Sequence, residues 1–294
     1  MSNKNTKTVW QNKVTLWRIF LNYRSKMAVT WLLLVLEAIS ILLIPLLIGL
    51  SVDGLVNSEY FGLYLLASLS FAVLIIGAGL RFYDTRIYAR IFQDLAFTLF
   101  SHEKEHKSTT SVITARVNLL NEIIEFFENS LPMLLSNIIS FVGVVIIVST
   151  LDHYVMAICI LASVLIVLIY VLTSHKFYDY NQNQNNEFEK QVTIFTEGKA
   201  ERVKSHYAKL MIWNVKLSDL ETINFSLVWL ILGSLLIGSI FLIVNNGSAS
   251  YGQKITAIMY IFQFIEVVMN FPIFYQQFVR LTEISHRLSI GKTD

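Results

Sequence analysis

The sequence predicts an all-α, polytopic membrane protein with six transmembrane helices, and three observations predict it. Of 294 residues, 54% are hydrophobic and only 15% charged, whereas a soluble domain carries about 25% charged residues. The apolar residues gather into six runs, each near or above the roughly 18 residues that mark a transmembrane candidate. The basic residues, finally, avoid three short loops between those runs. Lipid is therefore the expected solvent for most of the chain. The single cysteine, Cys159, lies in an apolar run and has no internal partner, so redox chemistry is not expected. The polar start and the long first apolar run do not fit a cleaved signal peptide.

Residues 1–8 are polar. Residues 9–22 read as an interfacial helix, with Trp10, Val14, Trp17 and Leu21 at helical spacing and Lys13 and Arg18 off that stripe. Tryptophan and basic residues beside a span fit a helix in the membrane plane. The polar N-terminus and this elbow occupy 1–22, and the six-helix domain is expected over 23–290.

Its spans are placed at about 27–51, 61–80, 131–149, 155–174, 221–244 and 255–274. Short loops lie at 53–60, 151–154 and 245–253. Two long segments, 81–130 and 175–220, join spans 2 to 3 and 4 to 5. The first continues the helix of span 2 through Arg81, Arg86 and Arg90 to about Phe100, turns over His102–Ser111, and resumes as a helix near Val112. The second continues span 4 through Tyr178–Glu201 and carries an amphipathic stretch, His206–Lys216. There Ser218–Asp219–Leu220–Glu221 matches a capping box that would open the next helix.

Of 23 lysines and arginines, only Lys254 falls in or beside a short loop. By the positive-inside rule both termini and both long segments are then cytoplasmic. Residues 61–100 would span about 60 Å as a helix, twice the roughly 30 Å hydrocarbon core. Helices 2, 3 and 4 should therefore project into the cytoplasm as two hairpins with tips near 102–111 and 204–216, and such stalks point to docking there.

Four constellations bear on function. Glu37 in span 1 and Gln263, Glu266 and Asn270 on one face of span 6, with Asn137 in span 3, place polar groups at membrane depth. A carboxylate there is expensive, so these line a pathway or ligand site, or else join helices by hydrogen bonds. Glu122, Glu125 and Glu128 stand three apart before span 3, opposite Arg81, Arg86 and Arg90. They form either interhelical ion pairs or an acidic vestibule that attracts cations. Tyr207, Leu210, Met211 and Trp213, with Lys204 and Lys209, make an apolar cluster. It either packs on its own stalk or docks a cytoplasmic partner. His102–Glu103–Lys104–Glu105–His106 satisfies H-E-x-x-H, the two-histidine zinc pattern. Charged residues fill its middle positions and it falls at a hairpin tip, so a solvated tip is expected and His102 and His106 are weak metal ligands.

Pro45, Pro132 and Pro272 fall in or beside spans, where proline kinks a helix. Gly77, Gly79, Gly233, Ser234 and Gly238 are expected where helices approach closely.

Local sequence adds a likeness. Ser111–Val–Ile–Thr–Ala–Arg116 with Asn121–Glu–Ile–Ile–Glu125 and Leu131–Pro132, Asn186–Glu–Phe–Glu–Lys–Gln191 with Glu197–Gly198, and Arg280–Leu–Thr–Glu–Ile–Ser–His–Arg–Leu288 follow one another in order. Together with the elbow and six spans, over about residues 8–290, they resemble the transmembrane domain of the six-helix exporter class of ATP-binding-cassette transporters. The stretch from His206 to Glu221 resembles a subgroup made of the transmembrane region alone. The resemblance implies a translocation pathway built by a dimer, coupling helices at the two tips, and a separately encoded ATPase as partner. The chain ends six residues after Leu288, where this class continues into its ATPase domain. The terminal Gly291–Lys292–Thr293 mimics the end of a phosphate-binding loop, but His286 stands where the leading glycine belongs. The chain is expected to bind no cofactor, to hydrolyse no ATP, and to be no enzyme. It is expected to reside in the plasma (inner) membrane, with lipid and no nucleic acid as neighbour. An ATPase-independent channel or carrier, and a membrane scaffold or sensor, are the alternative readings.

Overall fold

The computed structural model describes residues 16–105, 109–245, 247 and 249–290. The elbow residues 9–15, His106 and Gly291–Lys292–Thr293 lie outside them. The described residues are helical almost throughout, and six helices are long and apolar enough to cross a membrane. In chain order these are α1 Leu16–Val56, α2 Phe61–Glu105, α3 Thr110–Glu125 leading through a π-helical turn Phe126–Ser130 into α4 Leu131–Leu151, α5 His153–Glu189, a short α6 Gln191–Glu197, α7 Ala200–Asn245 and α8 Tyr251–Ile290.

The helices sort into two compact units, residues 1–147 with 248–294, and residues 148–247. In the first unit α1 packs along α2 and α8. Below the apolar spans, Tyr23, Met27, Tyr88, Ile91, Leu95, Leu99, Leu120, Ile123 and Phe127 form a closed core. It arises from a regular stripe on α2. Leu80, Asp84, Tyr88, Ile91, Leu95, Leu99 and Glu103 are all buried, at steps of three and four that keep one helix face inward.

At the opposite end of this unit, α1 and α8 meet backbone to backbone. A Cβ on Gly252 would overlap the carbonyl oxygen of Gly49, and one on Gly49 would overlap Thr256 and the Gly252 carbonyl. Asp53 of α1 accepts from the Gly252 amide at 2.8 Å and from Ser250 Oγ, capping the start of α8. Thr256 Oγ1 donates to Pro45 O at 3.1 Å and Tyr260 Oη to Leu42 O at 2.8 Å. These bonds fall around Pro45, whose missing N–H disturbs the helical ladder.

In the second unit α5 packs along α7. Asp152 caps α5 by accepting from the Tyr154 and Val155 amides. Leu210, Leu217, Val228, Leu232, Leu235 and Ile243 form the buried stripe of α7. Asn224 Nδ2 donates to Thr173 Oγ1 at 3.0 Å across the pair.

Two expectations need correction here. The second hairpin turns at Gly198, not over 204–216. Gly198 holds φ +64 and closes α6 through its amide to Phe195 O, a left-handed cap that glycine adopts without penalty. From Ala200 onward α7 is unbroken, so Ser218 is interior and its carbonyl accepts from Thr222 Oγ1 rather than opening a helix. The second concerns packing glycines. A Cβ at Gly79, Gly233 or Gly238 would meet nothing within 4 Å, whereas Gly49, Gly62, Gly77 and Gly252 carry the close approaches.

A charged cleft between the first, second and fourth helices

Within the first unit a cleft of about 290 Å³ lies between α1, α2 and the π turn leading into α4. Leu34, Ile41, Leu80, Pro132 and Met133 supply its apolar wall. Glu37, Arg81, Asp84, Thr85, Glu128 and Ser136 supply the polar one.

Glu37 reaches it from α1 and receives Arg81 NH1 at 3.2 Å. Arg81 also donates to Gly77 O at 3.1 Å, one turn back on α2. Gly77 makes this crossing possible, since a Cβ there would sit 2.6 Å from Glu37 Oε1 and 2.9 Å from Arg81 NH1. The Arg81 side chain is 77% exposed and that of Glu37 16%.

Glu128 enters from the π turn. Pro132 four residues on has no N–H to offer its carbonyl, which favours a widened turn at this point. Asp84 enters from α2. It belongs to the buried stripe, is 9% exposed, and its Oδ1 has no hydrogen-bond partner. Tyr88 Oη, 1% exposed, is likewise buried without a partner, and the Thr30 hydroxyl lies beside Asp84.

Sequence reasoning singled out some of this group and missed the rest. Glu37 and Glu128 line the cleft. Glu125 is exposed and accepts from Asn121 at 2.8 Å, and Glu122 is half-buried on α3. The arginines of α2 do not face the three glutamates as a block. Arg81 crosses to Glu37, and Arg86 stacks over the Phe82 ring at 3.4 Å. Asn137 donates to Met133 O at 2.8 Å and accepts from Asn270 at 3.4 Å, which ties α4 to α8. Gln263 is half-buried with Oε1 unpartnered, while Glu266 is exposed on α8. Asp84 was overlooked because it sits past the apolar run. Its spacing from Leu80 and Tyr88 was the available signal.

At the first tip Lys104 and Glu105 are exposed, as a solvated end would have them, but Glu103 is not. Glu103 is 3% exposed and its carboxylate is held by Arg116 of α3, with His102 beside it at 3.8 Å. A glutamate committed to an arginine is not free to activate water. Among the described residues no group of three or more His, Cys, Asp or Glu is placed to hold a metal ion. In the second hairpin Leu210 is buried, and Trp213 stacks on Tyr180 of α5 at 6.0 Å between ring centres with Lys216 over its face. These two side chains serve the α5–α7 packing. Tyr207 is 45% exposed and meets Phe195. Beside it, fully buried His206 contacts Glu187 at 3.1 Å, and Lys190 pairs with the other oxygen at 3.0 Å.

The model of one protein family, described as ABC transporter transmembrane region, matches residues 16–252. The chain belongs to this family. The match takes in α1 to α7 and the start of α8, hence every residue of the cleft. Comparison with curated proteins finds none that matches. A multi-pass membrane protein with a role in transport follows from the family and the six apolar helices together.

Proposed function

We propose that this chain is the membrane-spanning subunit of a transporter. Two copies would form the translocation pathway, and a separately encoded ATP-binding-cassette ATPase would drive it. The observation that carries the reading is the charged cleft. A charged group is costly at membrane depth and is kept there when it faces a pathway; Glu37, inside the first span, shares one space between three helices with Arg81 and Asp84, which lie just past the second, in a family used in transport. The reading puts both termini and both long hairpins on the cytoplasmic side of the plasma (inner) membrane, and the distribution of basic residues supports it. The two hairpin ends then become the docking points for the ATPase, with exposed Tyr207 and Met211 on the helix that leaves the second.

Purification from the native membrane in mild detergent, with mass spectrometry of what accompanies the chain, tests this. A stoichiometric ATPase is the expected result. A clean dimer that contains no ATPase, in membranes where the chain is active, would overturn the coupled pump.

A further inference from the structure

The stripe on α2 carries two carboxylates at core positions, and they are treated differently. Glu103 has a dedicated cation, Arg116, and both side chains are largely withdrawn from solvent. Asp84 occupies an equivalent inward position five turns earlier, is as good as buried, and leaves Oδ1 without a donor. A buried acceptor left empty is costly and rare in a settled core. Tyr88 Oη repeats the pattern, while the Thr30 hydroxyl stands beside Asp84. Unlike Glu103, Asp84 borders a cleft, and the titratable groups that share it are Glu37, Arg81 and Glu128. With all carboxylates ionised the cleft carries three negative charges against one positive, a net of −2, and Arg81 is committed to Glu37.

We infer that this cleft is a binding site for a small organic cation, an ammonium or amidinium whose N–H groups satisfy Asp84 and Glu128 while its apolar part lies against Leu34, Ile41, Leu80 and Met133. The donors matter as much as the charge. Asp84 has no cation of its own, with the neutral Thr30 hydroxyl beside it, and a nitrogen with several N–H groups can reach both carboxylates at once. The cleft volume suits a compact ligand, at the lower end of the range for small-molecule sites. Glu37 is held off by Arg81, so it contributes field rather than contact. The inference rests on the transport reading for its biological sense, but the binding it requires stands or falls alone.

The test uses the full chain in lipid nanodiscs, with empty nanodiscs as blank. Isothermal titration follows benzamidinium and phenethylammonium against the uncharged phenylethanol. Both cations are expected to bind at least about 10-fold more tightly than the alcohol. Asp84→Asn should weaken them by about 10-fold or more while leaving the alcohol unchanged. Glu128→Gln, at a half-buried position, should act in the same direction and keeps the test decisive if Asp84→Asn fails to fold. Equal affinities for cation and alcohol, cation binding that survives both substitutions, or no binding of either cation would overturn the site. Such a failure alongside a co-purifying ATPase would remove the cation site and leave the transporter. Cation binding without any ATPase would do the reverse.

Discussion

The two halves of α2 are built from one repeating stripe and come to opposite ends. In the half toward Glu105 the stripe is closed. Leu95 and Leu99 have no exposed surface to speak of, and the one charge, Glu103, has its arginine. In the half toward Phe61 the stripe opens at Leu80 and Asp84 into a cleft, and the charge has no cation of its own. The difference teaches that burial alone does not tell a structural carboxylate from a receptive one. What separates them is whether the chain itself provides the partner.

Substitutions can sharpen or break this contrast. The largest effect is expected at Glu103→Ala, which removes the buried carboxylate that Arg116 holds. Breaking a buried pair from one side costs about 3 kcal/mol or more, read as a lowered denaturation midpoint in detergent. A loss below about 1 kcal/mol would mean that the closed half does not depend on the pair. Next comes Asp84→Asn. If the carboxylate is held ready for a ligand, neutralising it should raise the stability of the ligand-free protein by about 1 kcal/mol, in the same denaturation measurement. A marked loss of stability would show that Asp84 serves the fold and would dissolve the contrast. The smallest effect belongs to Arg81→Gln. Its pair with Glu37 is largely exposed on the arginine side, so stability should move by less than about 1 kcal/mol. The freed Glu37 should tighten benzamidinium binding several-fold, measured by the same titration.

Reading the sequence went furthest where lipid imposes the rule. Six apolar runs and the long polar continuations of α2 and α5 were legible, because a bilayer forces backbone polar groups into continuous helix and sorts residues by hydropathy. It went astray at the second hairpin. The capping box at Ser218 is a local signal, and local signals yield when a continuous apolar stripe, Leu210 to Ile243, packs along a neighbouring helix. Gly198 ends α6 instead, where the chain takes a left-handed turn at φ +64. Within the cleft, Glu37 was visible as a charge inside an apolar run. Asp84 was not, because it lies a single turn beyond the run, where charges are ordinary.

The sequence by itself determined the solvent and the number of spans, because hydropathy acts residue by residue. It also determined that Glu37 must have a reason to be in a span. Only the tertiary structure decided what that reason is. Gly77 clears the space for Glu37 to meet Arg81, and Pro132 with its widened turn brings Glu128 to the same cleft. The register of α2 against α1 and α3 gives Glu103 an arginine and leaves Asp84 without one. Pairing between groups far apart in the chain depends on how helices are rotated against each other, and no local pattern encodes that rotation.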